Sequence, residues 1–301
     1  MPTLSSDGGN AKVERVLDSL HVLGESPVWC AREQALYWVD LRTPALHRRD
    51  PVTQRATQSA MPELVGAVVV SRRCGLLVAL QSGIFRFDPA SGTTTATAIV
   101  APEAPTGGNR MNETKADRRG RLWTSTMRDF GAAVSGSLYR IDADLVVERV
   151  LADLCVPNAI AWSPDDRTMY FADTGDERLR AYEFDIESGA LGAMRVLVDA
   201  GVLPGRPDGA TVDAEGCVWS ARFGGGCVAR VTPKGRIDRI VRLPVTQVTS
   251  CAFGDADLRT LYITTARQRL SEEQLQREPA AGTLFAVRLE VGGLPEPECA
   301  F

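Results

Sequence analysis

Four residues able to hold a cation or move a proton sit at the same place in separate, similar stretches of this sequence. Glu25 lies eight residues before the turn residue Glu33, Asn112 eight before Gly120, Asn158 eight before Asp166 and Asp208 eight before Gly216. The same count from Asp257 reaches Thr249, and a stretch with one extra turn residue puts Gly66 near the equivalent position. A lone Asn or Asp beside a turn most often bonds the local backbone. Two carboxylates and two amides at one repeat-equivalent position point elsewhere, because repeats related by rotation about an axis bring them face to face. Facing carboxylates repel and are poorly solvated unless something positive sits between them. Oxygen-only donors of this kind suit a divalent ion that takes hard ligands, with water filling its other positions.

The elements that must position these residues are short strands. Six units align: GESPVWCAREQALYWVD, VGAVVVSRRCGLLVAL, MNETKADRRGRLWTSTM, PNAIAWSPDDRTMYFAD, PDGATVDAEGCVWSAR and VTSCAFGDADLRTLYITT. Further short strands such as GIFRFDP, GSLYRID, LRAYEFD, CVARVTP and GTLFAVRL lie between them. Strands at this spacing, joined by Gly, Asp and Pro turns, predict an all-β, six-bladed β-propeller with four strands per blade. We expect one domain over residues 11–301, closed by pairing strands from the two ends of the chain, with residues 1–10 disordered. A pair of β-sandwiches is the alternative, disfavoured by the regularity of the repeat. The only helix signal is LSEEQLQREP, where Ser271 and Gln274 have capping-box spacing. Trp29, Trp123, Trp162 and Trp219 recur at related positions and are expected to pack between blades rather than to stack on a sugar.

Composition narrows the function classes. Thirty-four basic against 38 acidic residues give a net charge of −4, which offers no basic footprint for a nucleic acid. No run approaches the roughly 18 apolar residues of a membrane span. Seven cysteines, an odd number without a C-x-x-C pair, argue against a disulfide framework or a cysteine zinc site and for reduced thiols packed in a core. With no signal or transit peptide in MPTLSSDGGNAK, the expected location is cytoplasmic. The chain has only His21 and His47, no G-x-S-x-G and no H-E-x-x-H, so serine-hydrolase and zincin chemistry lack their parts. RFGGGCVARV is glycine-rich but leads into a strand rather than a helix, so phosphate binding is not supported.

These residues resemble the regucalcin (senescence marker protein 30) and gluconolactonase family of six-bladed propeller lactonases. The resemblance rests on LGESPVW with LYWVD, NRMNETKADRRGRLWTSTM, PNAIAWSPDDRTMYFADT, PDGATVDAEGCVW and LYITTARQRLSEEQLQREPAAGTLF, and runs from about Glu25 to about Val287. It implies one divalent metal ion held by Glu25, Asn158 and Asp208, three of the four residues that the repeat count places on the axis. It also implies Asp208 as general base or proton relay, and Arg110 and Asn112 as substrate contacts. Two departures stand out. Glu113, a possible outer support of the metal site, and Thr114 follow Asn112 where relatives vary or carry Gly. Phe130 stands where some relatives place a substrate-contacting Glu.

The expected reaction is hydrolysis of a sugar (aldono-) lactone to the aldonic acid. A three-ligand ion keeps positions open for water and the lactone carbonyl, Asp208 takes a proton from that water, and Arg110 and Asn112 offer donors and an acceptor to hydroxyl groups. Calcium, magnesium and manganese fit the oxygen donors, and zinc or iron(II) is compatible with them. Two alternatives stay open: hydrolysis of organophosphate-type esters, and a non-catalytic, calcium-responsive propeller scaffold. The partner expected is a small sugar lactone, with no nucleic acid and no membrane, and the sequence carries no signal for an oligomeric state.

Overall fold

The computed structural model describes residues 12–95, 97–104, 108–130 and 134–301; residues 1–10, expected to be disordered, lie outside that set. Among the described residues, six four-stranded antiparallel sheets are arranged as the blades of a propeller. The inner strands are Gly24–Cys30, Val65–Ser71, Asn109–Ala116, Pro157–Trp162, Arg206–Val212 and Val248–Gly254, for blades 1 to 6. Each packs against the next around the ring, and the sixth against the first. In blades 1 to 5 the chain runs outward through four consecutive strands. Blade 6 takes its outermost strand, Val13–Arg15, from the start of the chain, where Val13 faces Val287 and Arg15 faces Phe285. That pairing is the closure expected from the sequence, and it ties the start of the chain to the last blade so that the ring is sealed.

The repeated stretches fold alike because each turn satisfies its own polar groups. In blade 5, Asp213 Oδ1 accepts the N–H groups of Glu215 at 3.0 Å and Cys217 at 2.9 Å, and Oδ2 accepts the indole N–H of Trp219 at 2.8 Å. Asp117 does the same for Arg119, Arg121 and Trp123 in blade 3. Gly120 and Gly216 complete these turns at φ 88° and 83°, where a side chain would be strained. The strands between the turns bury apolar side chains in clusters that bridge adjacent blades, and Trp29, Trp123, Trp162 and Trp219 all lie in them. All seven cysteines are free thiols, five of them buried. The helix Glu272–Arg277 has the expected capping box, with Ser271 Oγ accepting from Gln274 N and Gln274 Oε1 from Ser271 N.

The end of the chain crosses the face opposite the inner-strand starts. Cys299 bonds to Val70 and Arg72, Ala300 N donates to Gly120 O, and Ser71 Oγ donates to Phe301 O at 2.6 Å. On the way, Glu296 reaches Lys115 of blade 3 at 3.6 Å, with a cavity of about 30 Å³ beside the two side chains.

Both histidines are packed where blade 6 meets blade 1. The Trp38 indole N–H donates to His21 Nε2 at 3.1 Å, so His21 Nδ1 carries the ring proton and donates to Gly282 O at 2.8 Å. The His47 ring stacks on Trp38 with centroids 5.2 Å apart and planes within 12°. Burial pushes the His47 pKa down to about 4, with the His21 ring adding to the effect and Asp40 opposing it; burial also lowers that of His21. An unfolded histidine takes its proton near pH 6.5, so stability from this cluster is present above that pH and drains away as the pH falls towards 4. We predict that urea unfolding of His47→Phe shows a shallower loss of stability between pH 6.5 and 4.5 than the unaltered chain; parallel curves would contradict this.

Candidate functional site

The starts of the six inner strands meet around the axis, and each touches its neighbours. Ser26 Oγ accepts from Val68 N at 3.1 Å, and Thr249 Oγ1 donates to Gly24 O at 2.6 Å. A Cβ on Gly66 would lie 2.5 Å from Met111 O, and one on Gly209 2.1 Å from Ser250 Oγ. The six positions reached by counting back from the turns are therefore neighbours in space, as the repeat predicts. Each inner strand also breaks register with its partner at this level, between Glu25 and Val28, Val65 and Ala67, Met111 and Thr114, Asn158 and Ala161, Pro207 and Ala210, and Val248 and Ser250. Such bulges re-aim side chains. Ser26 and Ala159, next after Glu25 and Asn158, adopt left-handed φ of 49° and 58°. Neither bulge nor left-handed residue is marked by glycine, so pattern reading missed them.

A chain of hydrogen bonds fixes the amides. Arg110 Nη1 donates to Asn112 Oδ1 at 2.8 Å, and Asn112 Nδ2 donates to Pro157 O at 2.9 Å and Asn158 Oδ1 at 3.2 Å. Asn158 Nδ2 donates to Thr174 Oγ1 at 2.9 Å, and that hydroxyl donates to Pro207 O at 2.6 Å. The chain of bonds therefore runs from blade 3 through blade 4 to the residue before Asp208. It fixes which end of each amide is the oxygen, and among the described residues Asn158 Oδ1 accepts from Asn112 alone.

The carboxyl groups near the axis are buried and feel one another's charge. Burial, then repulsion by Glu25 and Glu113, raises the Asp208 pKa well above its ordinary value. Burial and the Glu113 charge likewise raise Glu25, with Arg110 opposing. Glu113 is pushed up to about 7 by burial, against the pull of Lys115. Its Oε2 accepts from Ile160 N at 2.9 Å, while Oε1 is buried with no partner. Glu113 thus borders the ring rather than standing apart from it. Among the described residues no cluster of three or more His, Cys, Asp or Glu side chains is arranged to hold a metal ion. The set expected from the sequence is two carboxylates and an amide, all oxygen donors, and the mutual repulsion of its carboxyls fits a hard divalent cation.

Two functional neighbours went unnoticed in the sequence. Asp129 Oδ1 accepts from Arg110 Nε at 2.7 Å, and Arg42 of blade 1 grips the same carboxylate at 2.8 and 3.0 Å. Phe130, where the resemblance leads one to look for the Glu of some relatives, is 68% exposed with the Arg42 guanidinium 5.0 Å above its ring. A carboxylate thus reaches Arg110 from one residue earlier. Lys115 is the other: its Nζ donates to Ala210 O at 2.7 Å just below the ring.

The left-handed Ala159 gives a direct test of the bulge geometry. Ala159→Gly should change stability by less than about 1 kcal/mol, because relief of the left-handed conformation offsets the lost methyl. Ala159→Val should cost more than about 2 kcal/mol, as a branched side chain is an outlier at that φ. Thermal unfolding of the two variants checks this, and equal effects would count against the geometry.

Comparison with known proteins agrees with this architecture. The profile of the SMP-30/Gluconolactonase/LRE-like region matches residues 23–267. A 6-deoxy-6-sulfogluconolactonase of Pseudomonas putida is 39% identical, over 96% of this chain and 98% of its own. The pentonolactonase XacC of Haloferax volcanii is 35% identical, over 94% of this chain and 97% of its own. The crystal structure of the calcium-binding protein regucalcin from Agrobacterium tumefaciens superposes with a TM-score of 0.92 at 30% identity, covering 97% of this chain and 98% of that one. On its repeat, its closure and these matches together, the chain belongs to the SMP-30/gluconolactonase family.

Proposed function

We propose that this protein is a metal-dependent lactonase that opens sugar lactones to aldonic acids, with Glu25, Asn158 and Asp208 as ligands of one divalent ion. The observation that supports the reading is that two buried carboxyls, Glu25 and Asp208, stand at equivalent starts of inner strands around the axis, with the Glu25 charge felt at Asp208, beside an amide oxygen whose direction the bonds of Asn158 fix. Relatives named for sulfogluconolactone and pentonolactone hydrolysis support the reaction class. The calcium-binding regucalcin supports a divalent ion, with calcium, zinc, manganese, magnesium and iron(II) all compatible with the donors.

The ion, when bound, would supply Lewis acidity towards the lactone carbonyl and a lowered pKa for a water molecule. The remaining steps fall to the chain. Asp208 accepts a proton from the attacking water as the new C–O bond forms. The ring C–O bond then breaks, and the proton passes to the departing alkoxide to give the hydroxyl of the hydroxy acid. Among the described residues Arg110 spends Nε on Asp129 and Nη1 on Met111 O and Asn112, which leaves Nη2 to donate to a substrate oxygen. Asp129 and Arg42 hold that guanidinium in place, so it presents a pre-ordered donor and loses little entropy on binding. Asn112 keeps its amide oriented by three bonds and borders the same space.

Three outcomes follow for chelator-stripped protein assayed by acid release from pentono- and hexonolactones. Turnover should vanish on stripping and return with one of the candidate ions. Asp208→Ala should lower kcat by about 10²–10⁴-fold in the ion-loaded enzyme, the usual loss for a general base; near-normal turnover in a folded variant would refute the assignment. Arg110→Met should raise KM about tenfold or more, the scale of a lost charged hydrogen bond. Separately, Glu25→Gln removes one of two facing charges, so it should raise the melting temperature of the ion-free protein and abolish the further rise that a bound ion gives the unaltered chain. A fall in the ion-free melting temperature would speak against carboxylate repulsion at the axis.

A further inference from the structure

In the register of every blade, one residue of the second strand stands opposite the residue that precedes the ring position. These are Asp40 opposite Gly24, Leu80 opposite Val65, Thr126 opposite Met111, Asp173 opposite Pro157, Arg222 opposite Pro207 and Thr265 opposite Val248. In blade 1, Asp40 accepts the N–H groups of Val22 at 2.9 Å and Leu23 at 3.1 Å, three and two residues before Glu25. In blade 4, Asp173 accepts those of Cys155 and Val156, both at 2.8 Å, three and two residues before Asn158. Blade 5 bonds the same two peptide units from their other side: Arg222 Nε donates to Pro204 O at 3.1 Å and Nη2 to Gly205 O at 2.6 Å, ahead of Asp208. In the other three blades, which carry none of the three ligand residues, the second-strand residue makes no such clamp among the described residues; in blade 6 one of the two equivalent N–H groups, that of Thr246, is instead bonded by Glu278 from outside the second strand at 2.6 Å. Leu80 is apolar, Thr126 bonds Glu103 and Ser137, and Thr265 bonds Thr283 and Gly282.

We propose that Asp40, Asp173 and Arg222 are positioning residues, each locking the two peptide units that lead into Glu25, Asn158 and Asp208 and so setting the spacing of the three ligand atoms. This rests on the metal-site reading above and adds to it the groups that hold the ligands still. Arg222 carries most of the weight, because fold stability does not explain it. Arg222 is 1% exposed, among the described residues no carboxylate bonds to it, and a buried charge bonded to carbonyls is a costly way to fill space. Gly205, at φ 64°, presents the carbonyls rather than the N–H groups to the clamp. A Cβ there would lie 2.3 Å from Gly225 N, so the glycine run Gly224–Gly226 serves a backbone-to-backbone contact that leaves Arg222 room to reach both oxygens.

The test uses the whole chain, stripped of metal, with calorimetric titration of Ca²⁺, Mn²⁺ and Zn²⁺ in turn, alongside kcat and KM on a lactone. Asp173→Asn turns an amide N–H donor against a backbone N–H, and Arg222→Met removes the guanidinium; Arg222→Lys serves if the methionine variant does not fold. For the ion that the unaltered chain binds, each variant should weaken binding about 10–100-fold and lower kcat, with KM within about threefold, as outer supports of metal sites do. Thr265→Val, at the equivalent position of a blade without a ligand, should lower the melting temperature while leaving ion affinity within about twofold. The proposal is overturned if folded Asp173→Asn and Arg222 variants bind the ion as the unaltered chain does, or if Thr265→Val weakens binding as much as they do. An unaltered chain that binds none of the three ions overturns the metal-site reading and this inference together. One that binds an ion but hydrolyses no lactone removes only the lactonase reading, and the clamps are still judged by affinity.

Discussion

Two carboxyl groups buried near the axis of a closed ring set the terms for the rest of this structure. Glu25 comes from blade 1 and Asp208 from blade 5; burial raises both above their ordinary pKa values, with the Glu113 charge adding at Glu25 and the Glu25 and Glu113 charges adding at Asp208. Neither can turn away, because the ring fixes the strand that carries each. An open sheet would relieve the repulsion by splaying; a propeller sealed by Val13–Arg15 against Phe285–Arg288 cannot. Like charges in partly dehydrated surroundings repel unless a positive group sits between them, and under the proposed function a divalent cation would fill that place; the closure of the ring is what keeps the strands that carry them together.

Around that pair the chain invests in direction. Bulges at the same level of all six inner strands aim side chains at the axis, and left-handed Ser26 and Ala159 fix the turn after two of them. One chain of hydrogen bonds runs from Arg110 through Asn112, Asn158 and Thr174 to Pro207 O, so the orientation of one group constrains the next. Below the ring, Lys115 supplies a positive charge and Glu296 on the crossing end of the chain answers it. Above it, Arg42 and Arg110 share Asp129. The site is thus bracketed by an ion pair between blade 3 and the crossing end of the chain on one side, and on the other by Asp129, which joins blade 1 through Arg42 to blade 3 through Arg110.

Much of this was legible in the sequence because a propeller writes its geometry as a period. Counting back from Gly216 and Asp166 finds Asp208 and Asn158, and the strand grammar of LYWVD or MYFAD gives the blades, their number and their closure. The turn aspartates Asp117 and Asp213 and the packed tryptophans follow from the same repeat. What was not legible depends on contacts between distant segments. Nothing in the sequence marks Asp129; only the fold brings Arg42, 87 positions away, onto the same carboxylate as Arg110. The bulges of blades 1 and 4 leave no compositional mark, since the left-handed Ser26 and Ala159 are not glycines, whereas those of blades 2 and 5 hold Gly66 and Gly209. The clamps hid in plain view: Asp40 and Asp173 end their strands as identical letters, but Arg222 at the same register differs in charge, and only the reversed peptide units show that it does the same work. RFGGGCV could be excluded as a phosphate loop, yet its glycines acquire a reason only from the contact of Gly225 with Gly205.

The most direct measurement is anomalous diffraction from crystals of the metal-stripped protein soaked in Mn²⁺. The account predicts one strong peak on the propeller axis within about 2.0–2.6 Å of a carboxylate oxygen of Glu25, a carboxylate oxygen of Asp208 and Oδ1 of Asn158, the range for hard divalent ions on oxygen ligands. A peak elsewhere, or none at the axis with Glu25 and Asp208 undisplaced, would contradict it.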